Sequence, residues 1–298
     1  MTRTRRLSEF TITTLIRLAG YSSILFVALI LLFLLREGMP ALGETTLSQL
    51  LSTIWYPTES YFGILPLILG SLIVTFGALL VAVPFGVIMA VYISEIAPRQ
   101  VQEFFKPLVE ILAGLPSVVL GFIGIQLLSP FLRVFLNLPT GLTAFTGALL
   151  LGGIALPTVV SIAEDALNTV PRSYKEAALA LGATRWQVIW GISLPAARSG
   201  VMTAIMLGVG RAMGETMTVM MVTGNAPVMP SGLDALFLPV RTMTATIASE
   251  MGEVASDSSH YHVLFLIGIV LFVISLAINV GAFLVGFQKA KRAERLLS

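Results

Sequence analysis

Cysteine is absent from this 298-residue chain, which excludes disulfides, thiolate nucleophiles and Cys-based metal sites. Histidine occurs only as the pair His260 and His262 around Tyr261. Two imidazoles without a nearby carboxylate cluster are too few for a closed metal site, so the pair reads as an interfacial polar cluster. Charge is scarce too. Asp, Glu, Lys and Arg make up 11% of residues and hydrophobic residues 56%, whereas a soluble domain carries roughly a quarter charged residues. A net charge of +2 is too small for a nucleic-acid footprint, so no nucleic-acid partner is expected. The four lysines are Lys106, Lys175, Lys289 and Lys291, and none follows a glycine. A phosphate-cradling Walker loop is thereby excluded. No nucleophile–base–acid constellation is visible either, and the chain reads as a non-catalytic protein surrounded by membrane lipid.

What the chain has in quantity is long apolar runs. About 20 apolar residues in a helix cross ~30 Å of hydrocarbon. Six stretches qualify, at about 18–35, 64–93, 107–128, 142–163, 199–223 and 263–287. No small-x-small cleavage site follows the first, which ends at Arg36-Glu37, so it reads as an uncleaved anchor. The expected fold class is an all-α integral membrane protein with six transmembrane helices. Lys and Arg gather on the cytoplasmic side of membranes. With the N-terminus inside, Arg36, Arg133 and Arg241 fall outside, Arg211 falls within a span, and the other fourteen are cytoplasmic. Both termini and residues 164–198 are then cytoplasmic, in a multi-pass protein of a bacterial-type plasma membrane. Outer loops are expected at 37–63 and 225–262. In the second, Met243, Ile247, Met251 and Val254 fall on one helical stripe, which either packs on the bundle or docks a partner. Pro84, Pro116 and Pro157 are expected to interrupt spans.

Local signals are densest in 164–198. Ser173-Tyr174-Lys175-Glu176 has capping-box spacing, and Pro171 discourages helix before it. Ala177 to Leu181 are strong helix formers, and Gly182 supplies a left-handed stop. Thr184 to Gln187 repeats the box and starts a second helix, which Pro195 interrupts. The expected product is a helix–glycine–helix handle. Small Ala177 and Ala178 let another protein approach, while Lys175, Glu176 and Arg185 set its register. Capping alone explains Ser173 and Glu176, but not Gly182 or the Ile192–Pro195 end.

Glu176, Ala177, Ala178, Gly182, Ile192, Leu194 and Pro195 match, position for position, the cytoplasmic loop of ABC importer permeases, and the chain resembles that family. Gly210 to Met217 followed by Thr223-Gly224-Asn225, Leu115 to Val119, and Thr244 to Glu253 further resemble the PstC type of phosphate permease. The resemblance implies a type I ABC importer permease fold. Its five-helix core would span about 64–288, after an anchor helix and outer loop at 1–63 and before a basic tail at 289–298. It implies that Lys175, Glu176, Ala177, Ala178, Gly182 and Arg185 couple to a separate ATPase subunit. The implied partners are a second related permease, a pair of ATPase subunits carrying ATP-Mg, and an extracytoplasmic phosphate-binding protein. No cofactor is expected in this chain. A short first outer loop departs from the family pattern.

Arg211 lies at the midpoint of 199–223. Arginine at a bilayer centre costs roughly 2.5–3.5 kcal/mol on insertion scales, so such a charge has a partner or a use. Glu215 follows at i+4, hence on the same helix face. Either the two form a structural ion pair, or Arg211 lines a path and attracts an oxyanion that Glu215 helps hold. Arg suits phosphate because its fork donates two parallel hydrogen bonds. Thr216, Thr218, Thr223 and Asn225 are further candidate donors, although Thr in a span often bonds its own backbone. The expected function is passage of inorganic phosphate. The alternatives are an ABC permease for another oxyanion or small solute, and a stand-alone channel or ion-coupled carrier.

Overall fold

In hydrocarbon a backbone amide has no water to bond to, so an apolar chain closes its hydrogen bonds within helices. The computed structural model describes residues 3–297, and residues 1, 2 and 298 of the expected tails lie outside it. Its helices begin with α1 (Arg3–Gly38), α2 (Ala41–Glu44), α3 (Leu47–Leu50), α4 (Leu65–Val91) and α5 (Arg99–Gly114). They continue with α6 (Ser117–Ile123), α7 (Ser129–Phe135), α8 (Ala144–Asn168), α9 (Arg172–Ala180) and α10 (Arg185–Val188). The last are α11 (Leu194–Ala196), α12 (Arg198–Gly214), α13 (Met217–Val222), α14 (Met243–Glu250) and α15 (Ser259–Leu297). One exception to the all-helical expectation is a small antiparallel hairpin of β1 (Trp55–Tyr56) and β2 (Tyr61–Phe62), ahead of α4.

Five segments are individually long and apolar enough to cross a membrane: Ile12–Glu44, Leu65–Ile96, Ser117–Phe135, Ala144–Asn168 and Ser259–Gly281. A sixth crossing comes only from a bent pair, Arg185–Ala196 and Arg198–Gly214, which meet at 71°. The count of six therefore depends on taking this pair, bent just before the expected span at 199–223, as one crossing. The third span is shifted from its expected 107–128. Leu115 and Pro116 are extended, with ψ of 133° and 130°, so the crossing starts at Ser117. Residues 99–114 form the separate amphipathic helix α5. Pro84 and Pro157, expected to interrupt spans, lie inside unbroken helices of 27 and 25 residues. One missing N–H is a local loss that helices this long absorb.

Three other prolines do reshape their helices. Ala97, Ser129 and Leu194 each donate to a carbonyl five residues back, closing π turns at Tyr92–Ile96, Gly124–Leu128 and Ile189–Ser193. Each donor stands immediately before a proline: Pro98, Pro130 or Pro195. A proline cannot donate, and its ring crowds the carbonyl four residues back. Widening the preceding turn by one residue relieves both problems and re-aims the side chains within it.

The bundle's centre is the α4–α8 contact. Ala78, Ala82, Leu151 and Ala155 are buried there with Ala212 of α12 and Val219 of α13. Small residues let the backbones close in, as membrane helices require when the hydrophobic effect gives little drive between them. A Cβ on Gly152 would stand 2.9 Å from Val81, and one on Gly86 would stand 2.8 Å from Val159. Helix α1 sits outside this core against α15, with Phe33 edge-on to Phe265 at 5.5 Å, and none of its apolar stretch is buried.

One end of the bundle is closed by the long loops. Met243 of α14 is fully buried, and Ile247, Met251 and Val254 pack with it around Trp55, Phe62, Leu264 and Ile267. The expected stripe is thus spent on the bundle and is not offered to a partner. Glu250 ties this end together. Its Oε1 accepts from Arg241 at 2.6 Å and Trp55 at 3.2 Å, and its Oε2 pairs with His260 Nε2 at 2.8 Å. Burial pushes the Glu250 carboxyl up. The His260 hydrogen bond, the Arg241 charge and the Trp55 N–H outweigh that and hold it below its ordinary value of 4.5. His262 instead meets Glu44 at 3.0 Å, so the two imidazoles serve separate polar contacts.

Two outcomes follow from this packing. A Cβ on Gly70 would collide with the carbonyl oxygen of Arg241, while Gly153 has open space around it. Gly70→Ala should therefore destabilise by about 1–3 kcal/mol and Gly153→Ala should not, as read by thermal denaturation in detergent. Because the folded Glu250 pKa is lowered, its stabilisation is complete above about 4.5 and is lost as pH falls through the folded value. Glu250→Gln should flatten the acid limb of a Tm-versus-pH curve relative to wild type.

Candidate functional site

Helix α12 stops at Gly214, because Glu215 is extended at φ −71° and ψ 126°. The chain restarts as α13 after Thr216. This break overturns the expected i, i+4 pairing of Arg211 with Glu215, which assumed a continuous helix. The Glu215 carboxylate turns to the restart, accepting the Thr218 amide at 3.3 Å. The Glu215 carbonyl accepts the Thr244 hydroxyl at 3.2 Å. Thr218 donates its hydroxyl to the Ser117 carbonyl at 2.8 Å and is fully buried, so it ties α13 to the start of α6. Thr223 donates to Val219 and is not a free donor, while Asn225 accepts from Arg241 through its Oδ1. Thr216 is half-buried and bonds the Gly214 carbonyl at 3.3 Å. A cavity of about 10 Å³, room for one water, adjoins Ser71, Thr75, Glu215, Thr242 and Thr244.

Arg211 is exposed on the outer face of α12 and has no hydrogen-bond or ion-pair partner among the described residues. Thr203, Leu207, Gly210 and Gly214 share that exposed face. Gly210 and Gly214 leave open space where side chains would stand. The face is thus a shallow surface with one unspent cation, one turn from a helix break.

At the opposite end, residues 169–197 form the expected helix–turn–helix. Gly182 has φ +84°, where only glycine is unstrained. Gly182 N donates to Leu179 at 3.0 Å and Ala183 N to Ala178 at 3.1 Å, the paired bonds of a Schellman end. Thr184 and Gln187 cap each other as expected. The first box does not form: Pro171 is the N-cap, the helix already includes Arg172, and no side chain caps it. Ser173 is therefore held in helical geometry and cannot act as a cap.

Glu176, Ala177, Gly182 and Arg185 are exposed, and Ala178 is half-buried. Lys175 differs: its Nζ bonds Glu95 Oε1 at 2.7 Å within the chain. Sequence reasoning missed Glu95, and it missed the exposed apolar side chains Tyr174, Leu181, Trp186 and Trp190, which are 59–89% exposed. A usable signal was present, since two of the chain's three tryptophans lie in this short polar stretch.

Residues 82–290 match the family of binding-protein-dependent transport system inner membrane components. A probable ABC transporter permease protein, YqgH of Bacillus subtilis, is 40% identical over 78% of this chain and 75% of its own. The phosphate transport system permease protein PstC of Mesorhizobium japonicum is 36% identical over 80% and 77%. That of Xylella fastidiosa is 35% identical over 84% and 82%. Among solved structures, a bacterial alginate ABC transporter aligns with a TM-score of 0.59 at 15% identity, covering 92% of this chain and 95% of that one. An inward-facing methionine ABC transporter aligns at 0.56 and 19%, covering 76% and 94%. At such identities these two show a shared fold only. The chain belongs to the binding-protein-dependent family of membrane transport components, as a multi-pass ABC permease of the PstC type.

Proposed function

We propose that this chain forms part of the path for inorganic phosphate in an ATP-driven importer. The observation that carries the substrate is Arg211: a cation with no partner among the described residues, beside a break in an apolar span, in a protein whose relatives are named for phosphate transport. Arg211 attracts the anion, and Thr216 and Glu215 shape the break beside it. The glycine face of α12 is where a second permease chain approaches.

The excess of Lys and Arg on one side sets both termini and the 169–197 loop in the cytoplasm. There Glu176, Ala177, Ala178, Gly182 and Arg185 meet a separate ATPase subunit, with Tyr174, Leu181, Trp186 and Trp190 as apolar anchors. ATP-Mg resides on that subunit. Closing of the ATPase pair moves the loop, and the spans around Arg211 reorient to admit phosphate from an extracytoplasmic binding protein. Alternating access prevents leak.

Labelled phosphate uptake by vesicles carrying the reconstituted complex tests the reading. Uptake should need ATP and be competed by unlabelled phosphate but not by sulfate or molybdate; competition by those anions alone would reassign the substrate. Arg211→Gln should leave the complex able to co-purify while uptake falls roughly 10- to 100-fold, the worth of one charged hydrogen-bond pair. Normal uptake would reduce Arg211 to a structural role. Gly182→Val should lower phosphate moved per ATP or release the ATPase subunit, because a branched side chain resists positive φ. Gly182→Asn should be milder, and an unchanged ratio in the valine variant would count against the loop as the coupling element.

A further inference from the structure

The base of the bundle holds buried charges that neither the docking surface nor the path uses. Lys175 and Glu95 are paired at 2.7 Å with side chains only 19% and 8% exposed. Glu95 lies in the π turn that ends α4, and the adjacent Ser94 in that turn donates to Asn168 Oδ1 of α8 at 2.9 Å. Asn168 in turn donates to Glu164 at 2.9 Å, and Glu164, 8% exposed, pairs with Lys106 of α5 at 2.6 Å. Joined through the backbone between Glu95 and Ser94, these contacts run from α9 through α4 and α8 to α5. They border a cavity of about 100 Å³ lined by Glu110, Ser161 and Asp165, which leaves their side chains room to shift.

We infer that Lys175 is a positioning residue whose bond to Glu95 carries movement of α9 into α4, with Ser94, Asn168, Glu164 and Lys106 passing it to α8 and α5. Helix α9 has no buried residue, so apolar packing does not hold it to the bundle. Among the described residues, Lys175–Glu95 is the ion pair that joins residues 169–197 to the spans. Two charges largely removed from water hold each other strongly, and losing either strands the other. The π turn contributes the geometry: by widening the helix before Pro98, it sets consecutive residues Ser94 and Glu95 against different helices. The inference rests on the reading that an ATPase subunit docks on residues 169–197.

Two readouts on the full complex in vesicles test it. The first is phosphate moved per ATP hydrolysed. Glu95→Gln and Lys175→Gln should each lower this ratio by roughly fivefold or more while hydrolysis persists, and the exchanged pair Glu95→Lys with Lys175→Glu should recover most of it. Single variants with an unchanged ratio, or an exchange that recovers nothing, would overturn the link. Should the single variants fail to assemble, the exchanged pair decides alone.

The second readout needs no transported solute. Because the chain lacks cysteine, spin labels at Ile88→Cys and Ala180→Cys report the α4–α9 distance once any cysteines of the partner subunits are replaced. That distance should stay fixed through the nucleotide cycle in the otherwise wild-type protein and change with nucleotide once Glu95→Gln is added. A distance that behaves identically in both would overturn the link, whatever the solute proves to be. A wild-type complex that hydrolyses ATP without moving phosphate would instead defeat the transport reading alone.

Discussion

Within a bilayer a helix can break only where protein groups or a water-lined cavity satisfy the freed backbone groups. The fifth span meets that condition with few atoms. Glu215 sends its carboxylate to the Thr218 amide, and Thr244 sends its hydroxyl to the Glu215 carbonyl. Thr218 covers the carbonyl of Ser117 at the start of the neighbouring helix. Once Glu215 is committed to the break, it is no longer the counter-ion of Arg211. The exposed guanidinium follows from the hydrogen-bond demands of the break. A continuous helix would have placed the carboxylate on the same face and neutralised the site.

A second backbone constraint shapes the other end. Prolines at 98, 130 and 195 each follow a widened turn, whereas Pro84 and Pro157 do not. Two of the three widened turns end segments at the base, and both flank functional features. One aims Glu95 at Lys175. The other precedes the 71° bend into α12. The Pro195 of the family-type motif is thus part of a joint, and its value is geometric.

Local signals were legible in the sequence and distant ones were not. Gly182 and the Thr184–Gln187 box act within a few residues, and both formed as the spacing predicted. The Ser173 box failed by two positions, since Pro171 had already capped the helix. The Arg211–Glu215 pairing failed because helical spacing carries no information about where a helix ends. The third span slid by about ten residues because a hydropathy window averages across the extended Leu115-Pro116 step. Lys175 and Glu95 are 80 residues apart, and Glu44 and His262 are 218 apart. No periodicity joins such residues; only the packing of α4, α8, α9 and α15 does.

These features together locate where the bundle can yield. The loop end is stiff, because Arg241 also donates to Asn225 and Ser249 while it holds Glu250. The centre is close-packed through glycine and alanine, where a shift of a few tenths of an ångström meets backbone. Helix α12 joins that centre through Ala212, yet it is a 17-residue rod with a joint at each end: the bend at Ala197 and the break at Glu215–Thr216. A rod pivoting about its base moves its far end most. Arg211 stands 14 residues beyond Ala197, or about 21 Å at 1.5 Å per residue, so a tilt of about 5° displaces it by roughly 2 Å. That is enough to make or lose a hydrogen bond, but Ala204, Gly208 and Ala212 of α12 are buried, so such a tilt has to carry the helices packed against that face with it.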